Sequence, residues 1–383
     1  MKRGIASFVG ARLRLARELR SIASASSLAD MLEVSRQLVS QYETGKARPT
    51  PEQLERIATT LNVPVGFFLK PVPEAEGQQP FFRSMAASVA VERRRARALL
   101  VLLADIADHL LEFVELPVPD LPRKALPGSF RLWSDEQVET VAADIRRALG
   151  VRSGPLPNLT VLLEHRGAVI GRDHLADREL EGLSNWLNGR PFVLLNTTKS
   201  PARSRLDLAH ELGHLVLHPG VDSAVFDDAR AFKLIERQAF RFGGALLLPR
   251  EEFEFEIVTG SLDELLGMKA RWQVSVGAMI YRIQDLGVLP AATVASLWRR
   301  YRRSGWHVKE PLEDAVRLEQ PTVLKSSMEL LRDQGGMLAG DIVEQSNAPG
   351  IDLLRLAGLG SDFLASSLPS NVVRLHERAR GPN

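Results

Sequence analysis

Along the first seventy residues the apolar positions recur at helical spacing. In residues 5–20, Ile5, Phe8, Val9, Leu13, Leu15, Ala16 and Leu19 are interleaved with arginines, and shorter amphipathic pieces follow at 26–32, 35–44 and 51–61. Gly45, Pro49 and Pro64 punctuate them, and Pro51 suits the first turn of a helix capped by Thr50. Five short helices are expected. The stretch 71–80, with three prolines, reads as a linker. Residues 84–116 predict one long helix, with Arg93, Arg94, Arg95 and Arg97 near its start as a solvated basic face or, less favoured, a nucleic-acid contact, and a second Pro-rich hinge spans 117–127.

Residues 134–149 are helical again, with Ser134 and Gln137 spaced as a capping box. Two β-like stretches, 159–163 and 167–170, flank a turn at Arg166-Gly167, and Phe192–Asn196 is a compact apolar strand. Helices are expected at 203–217, 231–247, 262–270, 275–286 and 324–333, before a basic, frayed end carrying Arg374, Arg378 and Arg380. This predicts a multi-domain chain. An all-α domain occupies 1–70, Pro-rich linkers and the long helix 71–127, a predominantly helical α+β domain 128–290, and a C-terminal extension 291–383. Because the linkers limit packing between the units, each is expected to fold alone.

Composition narrows the class. Apolar residues make up 45% and charged residues 25% of 383, the balance of a soluble globular protein. No apolar run reaches the ~18 residues of a membrane span, and no secretory leader pattern follows Met1. Cysteine is absent, which excludes disulfides, thiolate nucleophiles and Cys-based zinc sites. A cytoplasmic location is expected. The net charge is +2, but residues 1–70 carry eleven Lys/Arg against six Asp/Glu. An anionic partner is therefore expected at one end of the chain only.

Leu28, Ala29 and Leu32 form the inner stripe of one short helix, Ser35 can cap the next, and Val39 and Tyr42 face the same core. Arg36, Gln37, Ser40 and Gln41 remain on the outer face. Arg can pair with guanine and Gln with adenine in a major groove. Lys46 and Arg48, just beyond the helix, are placed for phosphates. The stretch resembles the Cro/cI-type (XRE) helix-turn-helix family over residues 8–69, through Arg12, Leu13, Arg17, Leu28-Ala29, Val34-Ser35, Glu43, Gly45, Pro49, Leu54, Ile57-Ala58 and Val63-Pro64…Phe67-Phe68. The resemblance implies binding of operator DNA, as a homodimer because one such unit reads a short half-site. A helical dimerisation module is the alternative. Glu33 stands where the family's turn usually has Gly, so a locally different turn is expected.

The second signal is HELGHLVLH at 210–218. His210 and His214, four residues apart, lie on one helix face and can bind one Zn²⁺, and Glu211 is placed to take a proton from water at the metal. A third ligand is needed. Glu236 is the leading candidate, ahead of Asp207, Asp222, Asp227 and Asp228. Ala239 and the Gly243-Gly244 pair would let its helix approach the histidines. These residues, with Arg205–Leu208, Arg237–Phe242, Leu247-Leu248-Pro249 and Val274…Gly287, resemble the ImmA/IrrE family of zinc metallopeptidases over about 155–290. The resemblance implies a zincin-like fold in which His210, His214 and Glu236 hold Zn²⁺ and Glu211 is the general base. Gln238, Phe240 and Gly243 depart from the family's second signature.

His218 extends the stripe as either a support for the ligands or a helix end-cap. His165 and His174 read as structural or solvent-exposed. Tyr281 and Arg282 are candidates for polarising a scissile carbonyl, or packing residues. The tail motif Ser304-Gly305-Trp306…Glu310-Pro311…Glu319-Gln320-Pro321 resembles that of longer regulators and suggests no chemistry. Together these features imply a DNA-binding regulator that cleaves a repressor-like or antitoxin-like protein. The alternative is a transcription factor or antitoxin-like binding protein whose zinc domain is sensory or structural.

Overall fold

The computed structural model describes residues 4–75, 87–123, 130–176, 180–221 and 228–365. Four helices build the N-terminal unit: α1 (Gly10–Leu19), α2 (Ala25–Leu32), α3 (Arg36–Glu43) and α4 (Pro51–Leu61), closed by a 3₁₀ turn at Val65–Leu69. The first begins later than the pattern suggests, because Ile5 and Phe8 form a turn tied to Pro49. The caps are those expected. Ser35 accepts from the Leu38 amide, and Thr50 and Gln53 form a reciprocal capping box. Glu33 does adopt the left-handed conformation (φ 52°, ψ 44°). The turn therefore keeps its geometry with a strained residue in place of Gly.

The long helix α5 (Ala87–Leu110) follows; residues 84–86 of the expected span lie outside the described residues. Next come α6 (Asp135–Ala148), α7 (Leu159–His165), and the strands β1 (Val169–Asp173), β2 (Gly182–Leu187) and β3 (Arg190–Asn196). The remaining helices are α8 (Pro201–Leu217), α9 (Ala229–Leu247), α10 (Arg250–Glu256), α11 (Leu262–Trp272), α12 (Val276–Leu286), α13 (Ala291–Arg303), α14 (Val323–Asp333), α15 (Ala339–Gln345), α16 (Gly350–Leu356) and the single turn α17 (Asp362–Ala365). No helix among the described residues is long and apolar enough to cross a membrane.

One sequence expectation is overturned outright: 159–163 is helix, not strand. Asn158 caps it by accepting from the Val161 amide, and Leu159 and Leu163, one turn apart, both point into the core. A short apolar run fits either period, and the cap decides. Strand β2 was missed because its Ser and Asn break the apolar alternation.

The three strands are ordered β1-β3-β2, with β1 parallel and β2 antiparallel to β3. Every residue of β3 is buried. Phe192 and Leu194 enter one core with Val169, α5, the helix-turn-helix unit and α14–α16. Val193 and Leu195 enter a second core with Ile170, α6–α9 and α11–α13. The sheet is the wall between them.

This packing corrects the picture of units that fold alone. Helix α1 lies along α5, and its Arg12, fully buried, pairs with Asp105 (Nη2 to Oδ1 2.8 Å) while donating to the Lys70 and Pro71 carbonyls. Arg97 pairs with Glu18 at 2.8 Å, Arg20 with Asp352 at 2.7 Å, and Lys70 donates to the Ser346 carbonyl at 2.7 Å. The arginine cluster of α5 is thus partly engaged, since Arg95 also reaches Asp173 at 2.6 Å. The Pro-rich segments are fastened where described. Ala75 bridges Leu187, the Asp120 amide donates to Arg166, and Leu121 is buried. Residues 291–365 are not one extension, because α13 belongs to the second core and α14–α16 to the first. The basic tail 366–383 lies outside the described residues.

Arg12→Met leaves Asp105 buried without its cation, a loss that costs about 3–5 kcal/mol in comparable pairs. The expected result is a denaturant midpoint lowered to match, with helix content and tryptophan fluorescence falling in one transition. The exposed Arg56–Glu33 pair (2.8 Å) is the control: Arg56→Ala should shift stability by about 1 kcal/mol or less. Two separate transitions in the wild type would contradict the shared core.

Candidate metal centre and nucleic-acid interface

Helix α8 starts with Pro201 in its first turn and packs its inner face on β2, β3 and α9. The approach to α9 is close. A β-carbon on Gly243 would lie 3.1 Å from the His210 amide nitrogen, and one on Gly213 3.1 Å from the Ala239 backbone. Of the expected glycine pair, only Gly243 makes this approach; Gly244 faces Arg282.

The close approach brings three donors together. His210 Nε2 and His214 Nε2 are 2.9 Å apart, and each lies 3.5 Å from a different oxygen of Glu236. Among the described residues these three form the one group of His and acidic side chains with metal-ligating spacing, their donor atoms all within 4.8 Å of one another. Two imidazoles and one carboxylate suit a borderline cation such as Zn²⁺ better than a hard one such as Ca²⁺. Burial opposes the ionised form of Glu236, but the adjacent His210 and His214 outweigh it and hold its carboxyl well below the usual range. The Phe240 ring, 4.2 Å from that of His210, covers the cluster on one side.

Glu211 is buried beside this group. Its Oε2 accepts from Ser184 Oγ at 2.6 Å, and Gly182 gives it room, since a β-carbon there would lie 3.1 Å from Oε1. Burial, relieved in part by His214 and Ser184, pushes the Glu211 carboxyl up to about 7. Ser184 was not foreseen, because β2 itself was not. His218 lies behind His214, with its Nδ1 3.3 Å from His214 Nδ1 and its Nε2 2.9 Å from Gln238 Oε1. Burial and the neighbouring His214 push it down to about 3, so its imidazole is neutral.

The other acids fall away. Asp207 is buried one turn before Glu211, outside the donor cluster, and burial raises its carboxyl. Asp228 caps α9 by accepting from the Arg230 amide, and Asp222 and Asp227 lie outside the described residues. Arg282 is turned inward to a two-pronged pair with Glu139 (2.7 Å each) and is a packing residue. Tyr281 is partly exposed, 6.4 Å ring to ring from Phe240.

At the other end, Arg36, Gln37, Ser40, Gln41 and Lys46 line one shallow surface groove with Thr44. Arg36, Gln37, Ser40, Lys46 and Arg48 are exposed, Gln41 partly so, and Arg48 lies outside the groove. Inward, Val39 and Tyr42 are buried, and Arg17 grips Glu43 (Nε to Oε1 2.6 Å), fixing α3 on α1. The outer face of α3 is thereby presented on a rigid base.

Residues 163–284 match the family model for the IrrE N-terminal-like domain of the M78 peptidases, and residues 13–68 match the helix-turn-helix model. No curated protein matches the chain significantly. The first span contains the His/Glu cluster and the second the exposed face of α3. The chain is therefore an XRE-type helix-turn-helix domain fused to an IrrE/ImmA-like domain of the M78 peptidase family.

Proposed function

We propose that this protein is a cytoplasmic, homodimeric DNA-binding regulator whose second domain is a zinc metallo-endopeptidase acting on a repressor-like or antitoxin-like protein. The observation that carries the enzymatic half is the convergence of His210, His214 and Glu236 with Glu211 alongside. A structural metal has no need of a buried carboxylate next to its ligands. His210, His214 and Glu236 would hold Zn²⁺, which supplies Lewis acidity toward the scissile carbonyl. Glu211 accepts a proton from the attacking water and returns it to the leaving amine. Ser184 holds one Glu211 oxygen, leaving the other for that proton. Phe240 and the buried walls of α8 and α9 exclude bulk water.

For the DNA half, Arg36, Gln37, Ser40 and Gln41 read bases while Lys46 and Arg48 hold phosphates. The exposure of this face and its groove support that assignment.

The deciding experiment incubates wild type and Glu211→Gln with the proteins encoded beside this one, with Zn²⁺ supplied. Wild type should cut one of them and Glu211→Gln none, while both hold about one Zn²⁺ per chain by elemental analysis. His214→Ala should lose most of the metal. Bound zinc with no cleavage would favour the sensory reading, and metal content unchanged in His214→Ala would sink the site.

A separate series tests the DNA face. Arg36→Ala and Gln37→Ala should each lower operator preference over random DNA by ~1–3 kcal/mol in anisotropy titrations. Lys46→Ala should weaken both equally and flatten the salt dependence. Intact operator preference in the first two variants would reject α3 as the reader.

A further inference from the structure

Behind His214 runs a chain of hydrogen bonds whose direction can be read from its far end. The Phe130 carbonyl oxygen can only accept. It faces Gln238 Nε2 at 2.9 Å, which fixes the side-chain amide with its NH₂ toward Phe130. Gln238 Oε1 then faces His218 Nε2 at 2.9 Å. An amide oxygen also only accepts, so His218 Nε2 carries the hydrogen. A neutral imidazole has one N–H, which leaves His218 Nδ1 as an acceptor. Its neighbour at 3.3 Å is His214 Nδ1, which must therefore be the donor. In the neutral ring that metal binding requires, the Nε2 atom of His214 then keeps its lone pair, directed toward His210 and Glu236. Gln238 and His218 are both buried, so water does not compete for these bonds.

We propose that Phe130 O, Gln238 and His218 form a positioning chain that sets the tautomer and ring orientation of His214, presenting its Nε2 as a metal donor. The proposal rests on the metal-site reading above. Ligating histidines commonly anchor their second nitrogen in this way. Here the support is one-sided. His210 Nδ1 is buried with no hydrogen-bond partner among the described residues, and its ring is held by a tilted contact with the Phe240 ring. The chain also gives Gln238 a role that a carboxylate could not fill. Glutamate at 238 could still accept from His218, but it would turn an acceptor toward the Phe130 carbonyl.

The test measures Zn²⁺ affinity of the full chain by competition with a chromophoric chelator, alongside the visible spectrum of the Co²⁺-loaded protein. Circular dichroism with chelator present checks folding. His218→Leu should weaken Zn²⁺ binding about 10–100-fold and alter the Co²⁺ bands. His218→Asn, which offers an oxygen near the position of Nδ1, should restore most of the affinity. Gln238→Met and Gln238→Glu should both weaken binding, by less than His218→Leu. Wild-type affinity in a folded His218→Leu overturns the proposal, as does His218→Asn binding no better than His218→Leu. If His218→Leu does not fold, Gln238→Met carries the test, and unchanged affinity and Co²⁺ bands there overturn it. The site reading fails separately, through unchanged metal content in His214→Ala.

Discussion

Strand β3 is the constraint on which both ends of the molecule depend. All seven of its residues are buried, and its side chains alternate between two cores. A slip of one residue would send Phe192 and Leu194 into the core that holds α8 and α9, and Val193 and Leu195 toward the helix-turn-helix unit. Pairing with β1 on one side and β2 on the other prevents that slip. Helix α5 lies on one face of the sheet and α8 on the other. The helix-turn-helix unit rests on α5, and the His/Glu cluster rests on α8. Their relative placement is therefore set by one strand's register, and a flexible tether has little part in it.

Apolar packing alone would leave that placement loosely specified. Charges make it specific. Arg20 at the end of α1 pairs with Asp352 of α16, and Arg355 of the same helix meets both Asp352 and Asp173, each at 2.6 Å. Asp173, fully buried at the end of β1, also takes Arg95 of α5. The thread runs from the DNA-reading unit to the sheet without a gap. Pairs with half-exposed arginines such as Arg355 add little net stability, but a mispaired arrangement strands the buried carboxylate of Asp173 or Asp352. The thread thus works mainly against wrong docking of the two cores.

Much of this was legible in the sequence, and the rest was hidden for identifiable reasons. Local signals survived: Ser35, Thr50 and Ser134 cap where expected, and His210, His214 and Glu236 converge because helical spacing and a glycine-lined contact are local rules. Long-range partners were not legible. Nothing near Ser184 announces that its hydroxyl will meet Glu211, since that requires knowing β2 and its packing on α8. The arginines of α5 looked like a solvated face because Glu18 and Asp173, which answer Arg97 and Arg95, are each nearly eighty residues away. The prolines at 71–80 suggested a loose tether, yet the backbone of Glu74 and Ala75 pairs with the end of β2.

The tail motif that suggested no chemistry acts mechanically. Glu310 is buried and accepts from the Val276 and Gly277 amides at the start of α12, from Lys269 and from the Tyr301 hydroxyl, all at 2.9–3.0 Å. Glu319 pairs with Arg205 of α8 and accepts from the Thr160 amide at the start of α7. In return, Glu164 of α7 accepts the Thr322 and Val323 amides that open α14. Each carboxylate sits at a helix N-terminus, where free amides and the helix dipole favour it. Arg205 is one turn ahead of His210 on α8, so the Glu319 pair holds the amino-terminal half of that helix. Trp186 and Trp133 hold the other half through the Leu215 and Leu217 carbonyls. Holding His210, His214, Glu236 and Glu211 in one fixed cluster calls for such bracing at both ends of the helix. Residues 304–322 thus belong, by what they hold in place, to the unit that carries the His/Glu cluster and not to an appendage of it.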